Sequence, residues 1–110
     1  MTIQQLKELG ADTDQGLARC GNNEDFYLRL VGMALKPDTF NELKNKVEEN
    51  KLAEAFEAAH ALKGVLSNLS LTPIYEPVYE ITELLRARQE TDYSKLIDKM
   101  MEERNKFADL

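Results

Sequence analysis

Ala59-His60-Ala61-Leu62-Lys63-Gly64-Val65-Leu66-Ser67-Asn68 decides how this chain is read. It holds the only histidine among 110 residues and lies inside the most helix-prone segment, Lys51 to Leu69. On a helix turning about 100° per residue, Leu52, Ala55, Ala59, Leu62, Leu66 and Leu69 recur at steps of three and four. They make an apolar stripe of the width that a packed helix needs. By the same rotation His60 falls roughly 120° from the centre of the stripe, with Lys63, Gly64 and Ser67 on its side. The expectation is a histidine beside the core seam and turned to solvent. Its neighbours must then distinguish an idle surface ring from one in use.

Gly64 is the informative neighbour. A glycine inside a helix costs roughly 0.5–1 kcal/mol relative to alanine. Close packing against a second helix is the usual structural reason, but Gly64 points away from the leucine stripe. What it offers is a bare stretch of backbone one turn from His60, where another molecule can approach. Lys63 places a mobile cation within reach of anything attached to His60. A cation beside a histidine opposes metal binding and suits an anion such as a phosphoryl group.

His60-x-x-Lys63-Gly64, within Ala-His-Ala-Leu-Lys-Gly and followed by Asn68, resembles the signature of histidine-containing phosphotransfer (HPt) domains. The specific part spans about ten residues; in size and helix order the resemblance extends over the whole chain. It implies a four-helix bundle that relays a phosphoryl group to and from an aspartate of a response-regulator receiver domain, supplied by a hybrid sensor histidine kinase. On the matching positions, His60 would be the phosphoacceptor, Lys63 would stabilise the phosphoryl group and Gly64 would leave room for the receiver. The receiver would also supply Mg²⁺ and the in-line geometry. One departure stands out: Ser70 occupies a position, two residues after Asn68, where the family commonly has glycine.

Composition agrees with a small helical protein. A chain of 110 residues suits one domain, 1–110. Tryptophan is absent, aromatics are 7% and charged residues 31%, as a bundle rich in Ala, Leu and Met would have. A net charge of −6 argues against nucleic acid, whose binding footprint is basic. The single Cys20 can form no internal disulfide and no cysteine metal set; it reads as a small, partly buried side chain. One histidine cannot build a His-based metal site or pair with a catalytic cysteine. No glycine-rich phosphate loop is present, so the chain is expected to be a phosphocarrier without a kinase activity or ATP site of its own, and without cofactor or metal. The start, Met1-Thr2-Ile3-Gln4-Gln5-Leu6, lacks signal-peptide character. No apolar run approaches the ~20 residues of a membrane span. A cytoplasmic monomer is expected.

The predicted elements are all helical. Ile3, Leu6 and Leu9 mark a short helix stopped by Gly10. Thr13 can cap a second, through Leu17 and Cys20, ended by Gly21. Both are expected to cover one end of a bundle. Asn23, with Glu24 and Asp25 behind it, caps a helix that ends before Pro37. Another runs from Pro37 or Asp38 to about Glu49, and a bend near Asn50 leads into the histidine helix. Pro77 would break a helix begun at Pro73, which predicts an irregular turn over Ser70–Glu76 and a helix starting at Pro77. Asp92 is expected to cap the last helix, with Tyr93, Leu96, Ile97, Met100 and Met101 inward. Short connections favour antiparallel neighbours. The fold is all-α: an antiparallel up-down four-helix bundle with short extra N-terminal helices.

Three functions are distinguishable. The first is the phosphocarrier, with Phe56, Glu57 and Ser67 around His60 as partner-binding positions. The second is a helical adaptor that binds a signalling partner through the His60 face without being phosphorylated. The third, a hydrolase with His60 as base, lacks a visible nucleophile and orienting carboxylate. Glu57, one turn before His60, can reach the ring, although a solvated glutamate is the simpler reading.

Overall fold

The computed structural model describes residues 1–110. It contains seven helices: α1 (Ile3–Glu8), α2 (Thr13–Arg19), α3 (Glu24–Ala34), α4 (Pro37–Glu48), α5 (Leu52–Asn68), α6 (Thr72–Arg86) and α7 (Ser94–Ala108). Local chemistry sets most of their ends. Thr2 and Gln5 form a reciprocal capping box at α1. The Asn23 side chain accepts from the Phe26 amide at 3.0 Å and starts α3. The second helix is capped one residue earlier than expected, by Asp12, which accepts from the Gln15 amide at 3.2 Å. Thr13 is instead the first helical residue, and its buried hydroxyl has no partner.

The start of α6 departs further from expectation. It begins at Thr72 and carries Pro77 in its interior. The first turn absorbs Pro73, whose missing N–H belongs to the set that has no intrahelical partner. The Leu71 carbonyl accepts from both Ile74 and Tyr75. Pro77 then forgoes a single bond, to the Pro73 carbonyl. An interior proline costs about 3 kcal/mol. Against it, Leu71 and Ile74 are both fully buried, each worth about 1.5–3 kcal/mol. Core burial therefore outweighs the local rule. At α7 the expected cap is also displaced. The helix begins at Ser94, and Asp92 accepts from the Ser94 amide at 2.9 Å from the turn before it. Hydrogen bonds from Ser94 hold the Asp92 carboxyl below the ordinary range.

Helices α4 to α7 form the bundle, with α5 packed between α4 and α6 and α7 packed on α6. Val47 near the end of α4 and Ile97 near the start of α7 line one cleft, while Arg104, late in α7, donates to the Leu35 carbonyl just before α4 at 2.8 Å. The two helices therefore run antiparallel and close the ring. Twenty-one buried apolar residues make one core. On α5 these are Ala55, Ala59, Leu62 and Leu66, with Leu69 just past its end. Helix α3 lines a groove together with α4 and α5. Helices α1 and α2 cover the end of the bundle where α5 passes to α6: the Asp12 amide donates to the Ser70 carbonyl at 3.0 Å. No helix is long and apolar enough to cross a membrane.

Candidate functional site

The apolar stripe anchors α5 so firmly that its opposite face has no choice of direction. His60 lies on that face, exposed, with Gly64, Ser67 and Asn68 exposed along it and Lys63 half-buried at its edge. A Cβ built on Gly64 would meet nothing within 4 Å. The bare patch of backbone is therefore open to solvent and is not filled by a neighbouring helix.

Around the imidazole the structure assembles groups from two helices. Phe56, one turn earlier on α5, stacks on the His60 ring with centroids 5.6 Å apart and planes 19° from parallel. Arg86 of α6 sits over the same Phe56 ring at 5.1 Å and is held by Glu83 at 3.1 Å. On the other side, the Lys63 ammonium lies over the ring of Tyr79 at 5.7 Å, and Tyr79 is tilted against Tyr75 at 5.9 Å. Glu57 is exposed and borders a shallow cleft with Phe56, Arg86 and Arg88. The Ser67 side chain faces solvent, while its carbonyl accepts from Arg19 at 2.6 Å.

This arrangement leaves the reactive part of the histidine accessible. Imidazole nitrogens carry their lone pair and proton in the ring plane, so a partner on the ring face does not occupy them. Cations stand on both flanks, Lys63 on α5 and Arg86 on α6, in a chain whose overall charge is negative. No group of three His, Cys, Asp or Glu side chains is clustered to hold a metal ion.

Tyr79 and Arg86 are the neighbours that the sequence reading missed. They lie on α6, seven residues apart and hence on one face. The spacing was visible, but with α6 started at Pro77 nothing tied that face to His60. An apolar groove borders the site on the side away from α6, lined by Leu30 and Met33 of α3 and Ala58, Ala61 and Val65 of α5.

A family model described as Hpt domain matches residues 35–108, from the C-cap of α3 to the end of α7. Comparison with curated proteins and with solved structures finds no match.

Proposed function

Because the chain belongs to the Hpt domain family, whose members are phosphocarrier modules in two-component signalling, we propose that His60 is its phosphoacceptor. The carrying observation is that the sole histidine of an Hpt chain stands exposed on its longest helix, beside an open backbone patch at Gly64. The electron pair of a neutral ring nitrogen forms the N–P bond as the acyl O–P bond of a receiver aspartyl phosphate breaks. Aspartate leaves as carboxylate and the imidazole proton stays on the other nitrogen. The reverse step passes the group to a second receiver aspartate.

Lys63 needs only to leave the Tyr79 face to meet the phosphoryl oxygens, whose negative charge it stabilises during transfer. Gly64 admits the receiver to the His60 edge, and Phe56, Glu57 and Ser67 border its footprint. The whole chain, 1–110, acts as one cytoplasmic, monomeric phosphotransfer domain between a hybrid sensor kinase and a response regulator. An adaptor role without phosphorylation draws on the apolar groove beside the site, which could seat a partner on its own.

Incubation with a phosphorylated receiver domain separates the two. A carrier acquires label that is acid-labile and base-stable, whereas an adaptor binds and stays unlabelled. In His60→Gln the amide is a poor nucleophile. The expected outcome is loss of labelling with near-normal receiver binding, and a stability change of no more than about 0.5 kcal/mol, as at other surface sites. Labelling that persists in His60→Gln would place the acceptor elsewhere.

A further inference from the structure

Resting on the phosphocarrier reading, we infer that Phe56 is a positioning residue that holds the plane of the His60 ring for in-line attack. A histidine on an exposed helix face has a broad torsion about its second side-chain bond, so an unsupported ring would sweep its nitrogens through many directions. Here a flat apolar ring stacks against the imidazole, with its centroid 5.6 Å from that of His60 and its plane 19° from parallel. Phe56 and His60 are four residues apart on α5, a spacing that stacks side chains on a helix surface. Phe56 is itself not free: it is half-buried, packs against the core and carries Arg86 over its ring at 5.1 Å. Arg86 is in turn oriented by Glu83 at 3.1 Å. The support for the imidazole thus runs from α6 through Arg86 and Phe56 to the ring.

Stacking constrains the plane and leaves the edge free, which is what a nucleophile that must align a lone pair with phosphorus requires. An aromatic pair favours its stacked arrangement by about 2- to 10-fold over unstacked ones. That sets the size of the effect. Phe56 differs here from a residue that merely touches the partner, because a contact residue changes the concentration of receiver needed and a positioning residue changes the rate once the receiver is bound.

The test compares Phe56→Leu, Phe56→Met and Phe56→Tyr with the unaltered protein, each checked for normal melting. One measurement is the single-turnover rate of phosphoryl transfer from a phosphorylated receiver domain, as a function of receiver concentration. The other is the NMR position of the His60 ring protons in the free protein. Expected for Leu and Met are a saturating rate lowered about 2- to 10-fold and loss of the upfield ring-current shift, with a half-saturating concentration that moves only as far as the loss of one contact at the edge of the footprint moves it. Tyr should restore the rate and the shift. The inference fails if the saturating rate is unchanged, if only the half-saturating concentration moves, or if Tyr does not rescue. It fails too if the His60 signals of the free protein show no ring-current shift for Phe56 to remove. An unaltered protein that takes no label would instead overturn the phosphocarrier reading, and the ring-proton measurement would still report on the stack.

Discussion

At the scale of single residues, Gly64 carries the most argument for its size. Its helix phase was legible: an interior glycine turned away from an apolar stripe must face solvent, and it does. The exposure of His60 followed from the same rotation. The resting place of Lys63 on Tyr79 and the seat of Arg86 over Phe56 did not, because side-chain contacts across helices depend on the register of α6. Since a Cβ at Gly64 meets nothing, Gly64→Ala should stabilise the protein by up to about 1 kcal/mol through helix propensity alone. Gly64→Gln should also leave the fold intact, yet slow transfer from a phosphorylated receiver by filling the patch beside His60. Denaturant unfolding and transfer rates on the same preparations check both. If Gly64→Gln transfers as fast as the unaltered protein, the receiver does not sit on that patch.

At the scale of elements, the turn between α5 and α6 shows where sequence rules conflict. Two prolines argued for an irregular stretch, and the burial of Leu71 and Ile74 argued for helix and won. Ser70, where the family commonly has glycine, supplies the turn itself. Its φ is +56°, in the left-handed region, which costs a non-glycine residue roughly 1–2 kcal/mol. The side chain offsets this cost. Its hydroxyl donates to the Gln15 side chain at 2.9 Å and accepts from Arg19 at 3.2 Å, so that serine at this position fastens α2 to the turn. Ser70→Ala keeps the strained backbone and loses both bonds, for an expected loss of about 1–2 kcal/mol. Ser70→Gly loses the same bonds but recovers roughly 1 kcal/mol of backbone strain. Thermal melting should therefore rank alanine below glycine. An alanine variant as stable as the glycine one would mean that the strain at Ser70 is already relieved elsewhere.

At the scale of the whole molecule, the N-terminal helices hold the far end of the histidine helix. Their role as a cover was legible from two short amphipathic segments closed by Gly10 and Gly21. How they attach was not, since the contacts join residues more than forty positions apart. Arg19 donates to the Ser67 carbonyl at 2.6 Å, and the Tyr27 hydroxyl to the Leu69 carbonyl at 2.8 Å. The Tyr27 bond satisfies a carbonyl that the end of α5 leaves free, while the Ser67 carbonyl also accepts from the Ser70 amide at 3.1 Å. Burial pushes the Tyr27 phenol up to about 12, in keeping with a ring that is fully enclosed. Gly16 of α2 makes this possible: a Cβ there would lie 2.5 Å from Tyr27 Cε1 and 2.8 Å from its hydroxyl oxygen. The ring cannot turn aside, because the core encloses it and its hydroxyl is tied to Leu69. Gly16→Ala must therefore displace Tyr27 and strand the Leu69 carbonyl. Overpacking costs typically 1–3 kcal/mol, and a lost buried hydrogen bond about as much again. Helix propensity returns only about 1 kcal/mol, leaving a net loss of about 1–5 kcal/mol. Gly32 of α3 is the control: its Cβ would meet nothing within 4 Å, so Gly32→Ala should stabilise. The loss at Gly16 should also be local in its first effect. Amide hydrogen exchange at Leu69 to Leu71 should accelerate more than at Leu62, seven residues before Leu69 inside α5, while His60, still on a folded helix, should keep the labelling proposed for it. Equal stability of the Gly16→Ala and Gly32→Ala proteins would show that Tyr27 is not wedged between α2 and the end of α5.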